Sequence, residues 1–186
     1  MAWHDAPVAR VPVWDRVVRS LHWLLAATVA GAWLTSLVLL RWHEPIGYAA
    51  LGIAAARVAW GFLGGPHERF ASFVRGPAAT AAYIRRVLWR REPRYLGHNP
   101  LGGWMVLALL ACVAALGTTG WLYTATDVFW GEAWLESLHA ILAWLLLALV
   151  AMHVAGVVFT SLRQRENLVR AMVDGAKPAP QPGDIT

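Results

Sequence analysis

The sequence predicts an all-α integral membrane protein, a four-helix bundle with both termini cytoplasmic. Three observations carry that expectation. Hydrophobic residues make up 58% and charged residues only 15% of the 186 positions, whereas a soluble domain carries about 25% charged residues. Four windows, roughly 20–40, 46–64, 101–124 and 135–162, are long and apolar, and a helix needs about 20 residues to cross a bilayer. Lys and Arg, finally, collect on one side of these windows, as they do on the cytoplasmic side of a membrane.

Each element follows from its local pattern. The first window is too long for the apolar run of a cleaved signal peptide and has no small-residue cleavage site after it, so it is expected to stay in the membrane. The second holds Arg57 among many small residues, and its assignment as a span rests partly on its neighbours. Between the second and third windows, Pro and Gly interrupt a basic connection over residues 65–100. Within it, residues 78–91 alternate Ala, Tyr83, Ile84, Val87 and Leu88 with arginine pairs, the pattern of a helix lying on the inner leaflet. Residues 1–174 thus form one four-span domain. The tail, 175–186, ends in "AKPAPQPGDIT" and is expected to be disordered. There is no second soluble domain, internal repeat or Gly-rich phosphate loop.

Charge placement tests the topology. With both ends inside, the cytoplasmic segments hold Arg10, Arg16, Arg19, Arg69, Arg75, Arg85, Arg86, Arg90, Arg91, Arg94, Arg163, Arg165, Arg170 and Lys177, which is fourteen of the 16 basic residues. Arg41 alone lies outside, with the acidic Glu44, Asp127, Glu132 and Glu136, and Arg57 lies within a span. The net charge of +5 is therefore read as attraction to anionic lipid, with no role for nucleic acid. Cys112 is the sole cysteine, which excludes an internal disulfide, a cysteine-held iron–sulfur cluster and covalent c-type haem attachment. Most of the 12 tryptophans, among them Trp14, Trp42, Trp104, Trp130 and Trp134, fall near the expected membrane boundaries, where an amphipathic ring is favoured. Interface anchoring is the first expectation for Trp23 and Trp144 as well, with packing against a cofactor as the alternative.

The fourth window, "LESLHAILAWLLLALVAMHVAG", carries His139 and His153. Fourteen residues of helix is almost four turns, so the two rings leave nearly the same face about 21 Å apart along the axis. One cofactor cannot bridge them, but two at different depths can each take one. His22, at the inner start of the first span, matches His153 in depth, and His43, at the outer start of the second, matches His139. Taken singly, a helix histidine is most often a packing or hydrogen-bonding residue. Four at membrane depth, pairing across spans, point to function. Each pair supplies two axial nitrogens to an iron, for which imidazole is a suitable ligand. Zinc or di-iron carboxylate sites fit poorly, because the spans lack clustered ligands and glutamates. Two haem b groups are the expected cofactors.

These segments also carry a family resemblance. "VWDRVVRSLHWLLA", "HEPIGYAALGIAAARVAWG", "RYLGHNPLGGWMVLALL" and the histidine pair of the fourth span resemble the prokaryotic cytochrome b561 family, including the related hydrogenase-type cytochrome b subunits, over about Val13 to Val173. The resemblance implies a four-helix bundle of the bacterial inner membrane that binds two b haems through His22, His43, His139 and His153. It also implies electron passage between the quinone pool, ubiquinone or menaquinone, and a partner or small oxidant. A periplasmic cytochrome c, a hydrogenase-like subunit that this chain anchors, or superoxide with quinone as acceptor are the alternatives it leaves open.

Further residues take secondary roles. Arg57, in the inner half of its span, needs a partner there; a haem propionate, a quinone oxygen, or water reached by snorkelling would each serve. His98, in "GHNPLGG", is expected to belong to a turn and helix start with Asn99 and Pro100. His4 and His67 are expected to be solvent-exposed. Gly31, Gly52, Gly117 and Gly120 are expected to permit close approach of helices or of a flat macrocycle.

Overall fold

The computed structural model describes residues 9–186; His4 lies outside the described residues. Nine elements follow in order: β1 (Arg10–Pro12), α1 (Arg16–Val38), α2 (Leu40–Leu63), α3 (Phe70–Phe73), α4 (Pro77–Leu88), α5 (Pro100–Ala125), α6 (Ala133–Gln164), α7 (Leu168–Asp174) and β2 (Ala176–Pro178). Helices α1, α2, α5 and α6 are each long and apolar enough to cross a membrane. Their outward faces are apolar and bare: Leu34, Leu37, Phe62, Ile141 and Trp144 are all exposed. Exposed apolar surface on this scale is stable only against a lipid or protein partner.

Local chemistry sets the helix ends. The Asp15 carboxylate accepts the Val18 amide at 2.6 Å and opens α1. Asn99 does the same for Gly102 at 2.8 Å and opens α5, with Pro100 following it. Both are side-chain caps of the amides that a helix start leaves unpaired, and proline is tolerated where no amide is needed. The expected helix start at Asn99–Pro100 is therefore present. The second span differs from expectation at its start. Pro45 lies inside α2, which begins at Leu40 with Leu39 as the one residue between α1 and α2. A proline near a helix start forfeits only an early hydrogen bond, so it did not mark the boundary.

α1 packs on α2, α2 on α5, and α5 on α6. The core between them is Ala50, Ala54, Leu110, Cys112, Val113 and Leu146, with Leu25 and Val29 of α1 against it. Cys112 is a buried free thiol in that core. Small residues let α2 and α5 approach. A Cβ at Gly117 would lie 2.8 Å from Leu51, so glycine is required at that crossing, while Gly120 faces His139 and Gly31 is in ordinary contact with Ile46. At Gly52 a Cβ would meet nothing within 4 Å, so no other helix approaches closely there.

The first and last described strands meet at one end of the bundle. β1 pairs antiparallel with β2, Arg10 opposite Pro178, and the Val13 amide donates to Gly175 at 2.8 Å. The tail beyond β2 turns back to bridge Tyr95 through Ile185. This corrects the expectation of a disordered tail. Its prolines and lack of an apolar run offered no core, but partners far away in sequence satisfy it. Arg94 donates to Glu166 at 2.9 Å, to Asp184 at 2.6 Å and to the Pro178 carbonyl at 3.0 Å, while Lys177, 3% exposed, lies 3.6 Å from Glu166. Burial, and the neighbouring Arg94, hold the Lys177 ammonium below its usual pKa against the opposing pull of Glu166.

In the connection, α4 lies where an interfacial helix was expected. Tyr83 is buried on Tyr95, and burial, with Glu92 nearby, pushes its phenol up to about 12. Leu88 and Trp89 are exposed beside the arginines.

Candidate functional site

α1 and α6 do not close on each other by backbone contact as the other neighbours do. Rings span the interval between them. Trp33 of α1 meets Trp144 of α6 edge-on at 5.3 Å, and His22 faces His153 at 6.4 Å between ring centres. At the opposite depth, His43 of α2 faces His139 of α6 at 6.0 Å. The structure thus brings the four histidines together as the two pairs that depth matching predicted.

The separations can be compared with what a metal requires. A first-row metal binds an imidazole nitrogen at about 2.0–2.1 Å and the ring centre lies about 1.1 Å behind it, so two axial imidazoles on one ion have centres about 6.2–6.4 Å apart. Both pairs match that spacing within a few tenths of an ångström. Two imidazoles in direct hydrogen-bonded contact would be closer. Among the described residues no cluster of three or more His, Cys, Asp or Glu could hold a metal by protein ligands alone. A metal held by one of these pairs would need its remaining ligands from a cofactor, as a macrocycle supplies them.

The second ring nitrogens differ between the pairs. His43 Nδ1 lies 2.9 Å from the Ala32 carbonyl, an acceptor that fixes the proton on Nδ1 and leaves Nε2 free. His139 Nδ1 lies 2.8 Å from Thr119 Oγ1, and that hydroxyl donates onward to the Leu116 carbonyl at 3.0 Å. The hydroxyl therefore accepts from Nδ1–H, and Nε2 of His139 is free as well. At the end that carries β1 and β2, His22 Nδ1 is buried with no partner, and Trp23 stands edge-on to its ring at 5.1 Å.

Polar groups crowd the same end. Arg57 is 7% exposed, with Nη1 unpartnered and Nη2 only 3.4 Å from the Glu68 carbonyl. Its guanidinium sits 5.5 Å from the Phe70 ring centre. Asp15 accepts from Trp60 Nε1 at 2.8 Å, and its own amide donates to buried Glu68 at 3.3 Å. His98 packs between Trp14 and Phe73, ring centres 4.7 and 4.4 Å away, with Nδ1 unpartnered. Burial first, then the cations Arg57 and Lys177, push its pKa down to about 3, so the ring is neutral. His67 is partly buried beside Gly97, not solvent-exposed as expected.

Thr119, the Ala32 carbonyl, Glu68 and Lys177 were not singled out in the sequence. Thr119 alone carried a signal, as a polar residue in an apolar span. The others depend on contacts between segments remote in sequence.

Fold and geometry define the class: a multi-pass membrane bundle whose interior presents imidazoles in facing pairs, the donor set of a b-type cytochrome. The family model described as prokaryotic cytochrome b561 matches residues 13–175, and the chain belongs to that family. Its members are haem b proteins of membrane electron transfer, and so is this chain. Comparison with curated proteins gives no match.

Proposed function

We propose that the chain carries electrons across the bacterial inner membrane through two b haems, one held by His22 and His153 and the other by His43 and His139, between the quinone pool and a periplasmic redox partner. The observation that carries this reading is the 6.4 and 6.0 Å spacing of the two imidazole pairs, which suits one axially ligated iron each. With both termini cytoplasmic, His22 and His153 form the inner pair. Haem supplies one-electron chemistry at each depth. The chain's residues aim the imidazoles and space the two sites along α6 by about 21 Å.

The test is stoichiometry. The detergent-purified protein is expected to contain two non-covalent b haems per chain by pyridine haemochrome assay with protein quantitation. A value near one removes one pair, and a value of zero ends the reading.

Quinone chemistry is assigned to the inner site, where buried Arg57 offers an unpartnered nitrogen to a reduced quinone's developing negative charge or to a haem propionate. An Arg57→Leu variant that keeps both haems is expected to lose at least tenfold in the rate of quinol-driven inner-haem reduction, with exchange at the outer haem little changed. Unchanged stopped-flow kinetics with quinol would remove Arg57 from the quinone site.

Partners of the outer site are proposed on charge. Glu44, Asp127, Glu132 and Glu136 are all exposed there, which suits a basic partner such as a cytochrome c. Superoxide oxidation with quinone as acceptor, and anchoring of a hydrogenase-like subunit, are the alternatives. Stopped-flow reduction by superoxide separates the first of these from a protein donor.

A further inference from the structure

The two histidine pairs are alike in spacing and unlike in what holds their second nitrogens. In the outer pair both Nδ1 atoms have acceptors: the Ala32 carbonyl for His43, and Thr119, itself bonded to the Leu116 carbonyl, for His139. In the inner pair His22 Nδ1 is buried without one, and the buried cation Arg57 lies at the same end. A metal-bound imidazole that donates from its other nitrogen becomes a more basic ligand, and hydrogen bonding around an axial ligand is one of the levers on an iron centre's potential. A more basic ligand favours the ferric state and lowers the potential. A buried positive charge favours the ferrous state and raises it, because reduction removes one positive charge from its vicinity. Asp15 and Glu68 lie near Arg57 and temper its field, so the hydrogen-bond asymmetry leads the comparison.

We propose that Thr119 is a positioning residue that, through His139 and together with the Ala32 carbonyl on His43, sets the outer haem at a lower potential than the inner one, so that electrons entering at the outer site run downhill to the inner site. The inference rests on the ligand assignment above. It gives the proposed pathway a direction, from an outer donor towards the quinone side. Thr119 suits the role by position as well as chemistry. It is 7% exposed and sits one residue before Gly120, whose backbone lies against the His139 ring: a Cβ there would be in ordinary contact, 3.5 Å from His139 Cε1. The hydroxyl's own donation to Leu116 aligns it as an acceptor, and bonds in such a chain reinforce one another.

Spectroelectrochemical titration of the purified two-haem protein tests this, with His22→Ala and His43→Ala used to identify the components. The outer component is expected to titrate at the lower potential. Thr119→Val is expected to retain both haems and to shift the outer component's ferric-to-ferrous ratio at a fixed potential about tenfold towards ferrous, equivalent to about 59 mV for one electron, with the inner component unmoved. Thr119→Ser, which keeps the hydroxyl, is expected to restore the original value. An outer component that titrates above the inner one in the unsubstituted protein overturns the inference, whether or not the valine variant holds its haem. So does a two-haem Thr119→Val protein with an unshifted outer component. Either result leaves the ligand assignment standing; that assignment fails instead if the alanine variants keep both haems.

Discussion

His22→Ala or His153→Ala is expected to abolish the inner haem while sparing the outer one, and His43→Ala or His139→Ala to do the reverse. On the proposed ligand assignment, each substitution would leave an iron with a single protein imidazole where two are expected. The loss should approach one haem of two per chain by haemochrome assay, with the surviving component titrating as a single centre. The pairing comes from ring separations of 6.4 Å for His22 with His153 and 6.0 Å for His43 with His139. If His22→Ala and His43→Ala deplete the same spectral component, the pairing is wrong. Since His139 and His153 share α6, a variant that unfolds that helix would lose both haems; the α1 and α2 variants, on separate helices, keep the test decisive.

Arg94→Leu is expected to release the clasp formed by the two chain ends. Arg94 is the hub that neutralises Glu166 and Asp184 and holds the Pro178 carbonyl, with its side chain 16% exposed and that of Glu166 only 4%. Without it, Glu166 retains only Lys177 at 3.6 Å. Removing one partner of a buried ion pair costs about 3–5 kcal/mol, because the other charge stays out of water. Thermal unfolding in detergent should show the loss, and limited proteolysis should cut within residues 176–186 much faster than in the unsubstituted protein. Arg94→Lys should recover only part of it, since a single ammonium cannot reproduce the forked guanidinium contacts. A tail that stays protected in Arg94→Leu would mean that the β1–β2 pairing holds it without the ions.

The four crossing helices were legible because hydrophobicity over about 20 residues is a local property that the bilayer reads directly. The histidine pairs were legible for a related reason. Helical rise converts sequence position into depth, and alternating spans convert depth into partners, so His22 with His153 and His43 with His139 needed no knowledge of packing. Asn99 and Pro100 announced the start of α5 by local capping chemistry. Helix ends were less well marked where a local rule was outweighed, as at Pro45, which lies inside α2.

What lay outside the reach of sequence depends on contacts between remote segments. The tail reads as disordered because it is rich in proline and has no apolar run, yet Lys177 and Asp184 are stabilised by Glu166 and Arg94, the latter some 80 to 90 positions away in the chain. His98 stands at the expected turn and helix start, but its packing between Trp14 and Phe73, drawn from two other parts of the chain, is not visible in the sequence.

By itself, then, the sequence determined the membrane bundle, the depth of each histidine and the concentration of positive charge at one end, since these follow from composition and helical period. Only the tertiary structure decided the 6 Å approach of the imidazoles, the bond from His139 to Thr119, the missing partner of His22 and the folded tail. Each of these is a matter of direction and distance between side chains on different helices, and hydrogen bonds are made or lost over less than an ångström, a scale finer than any periodicity along the chain can specify.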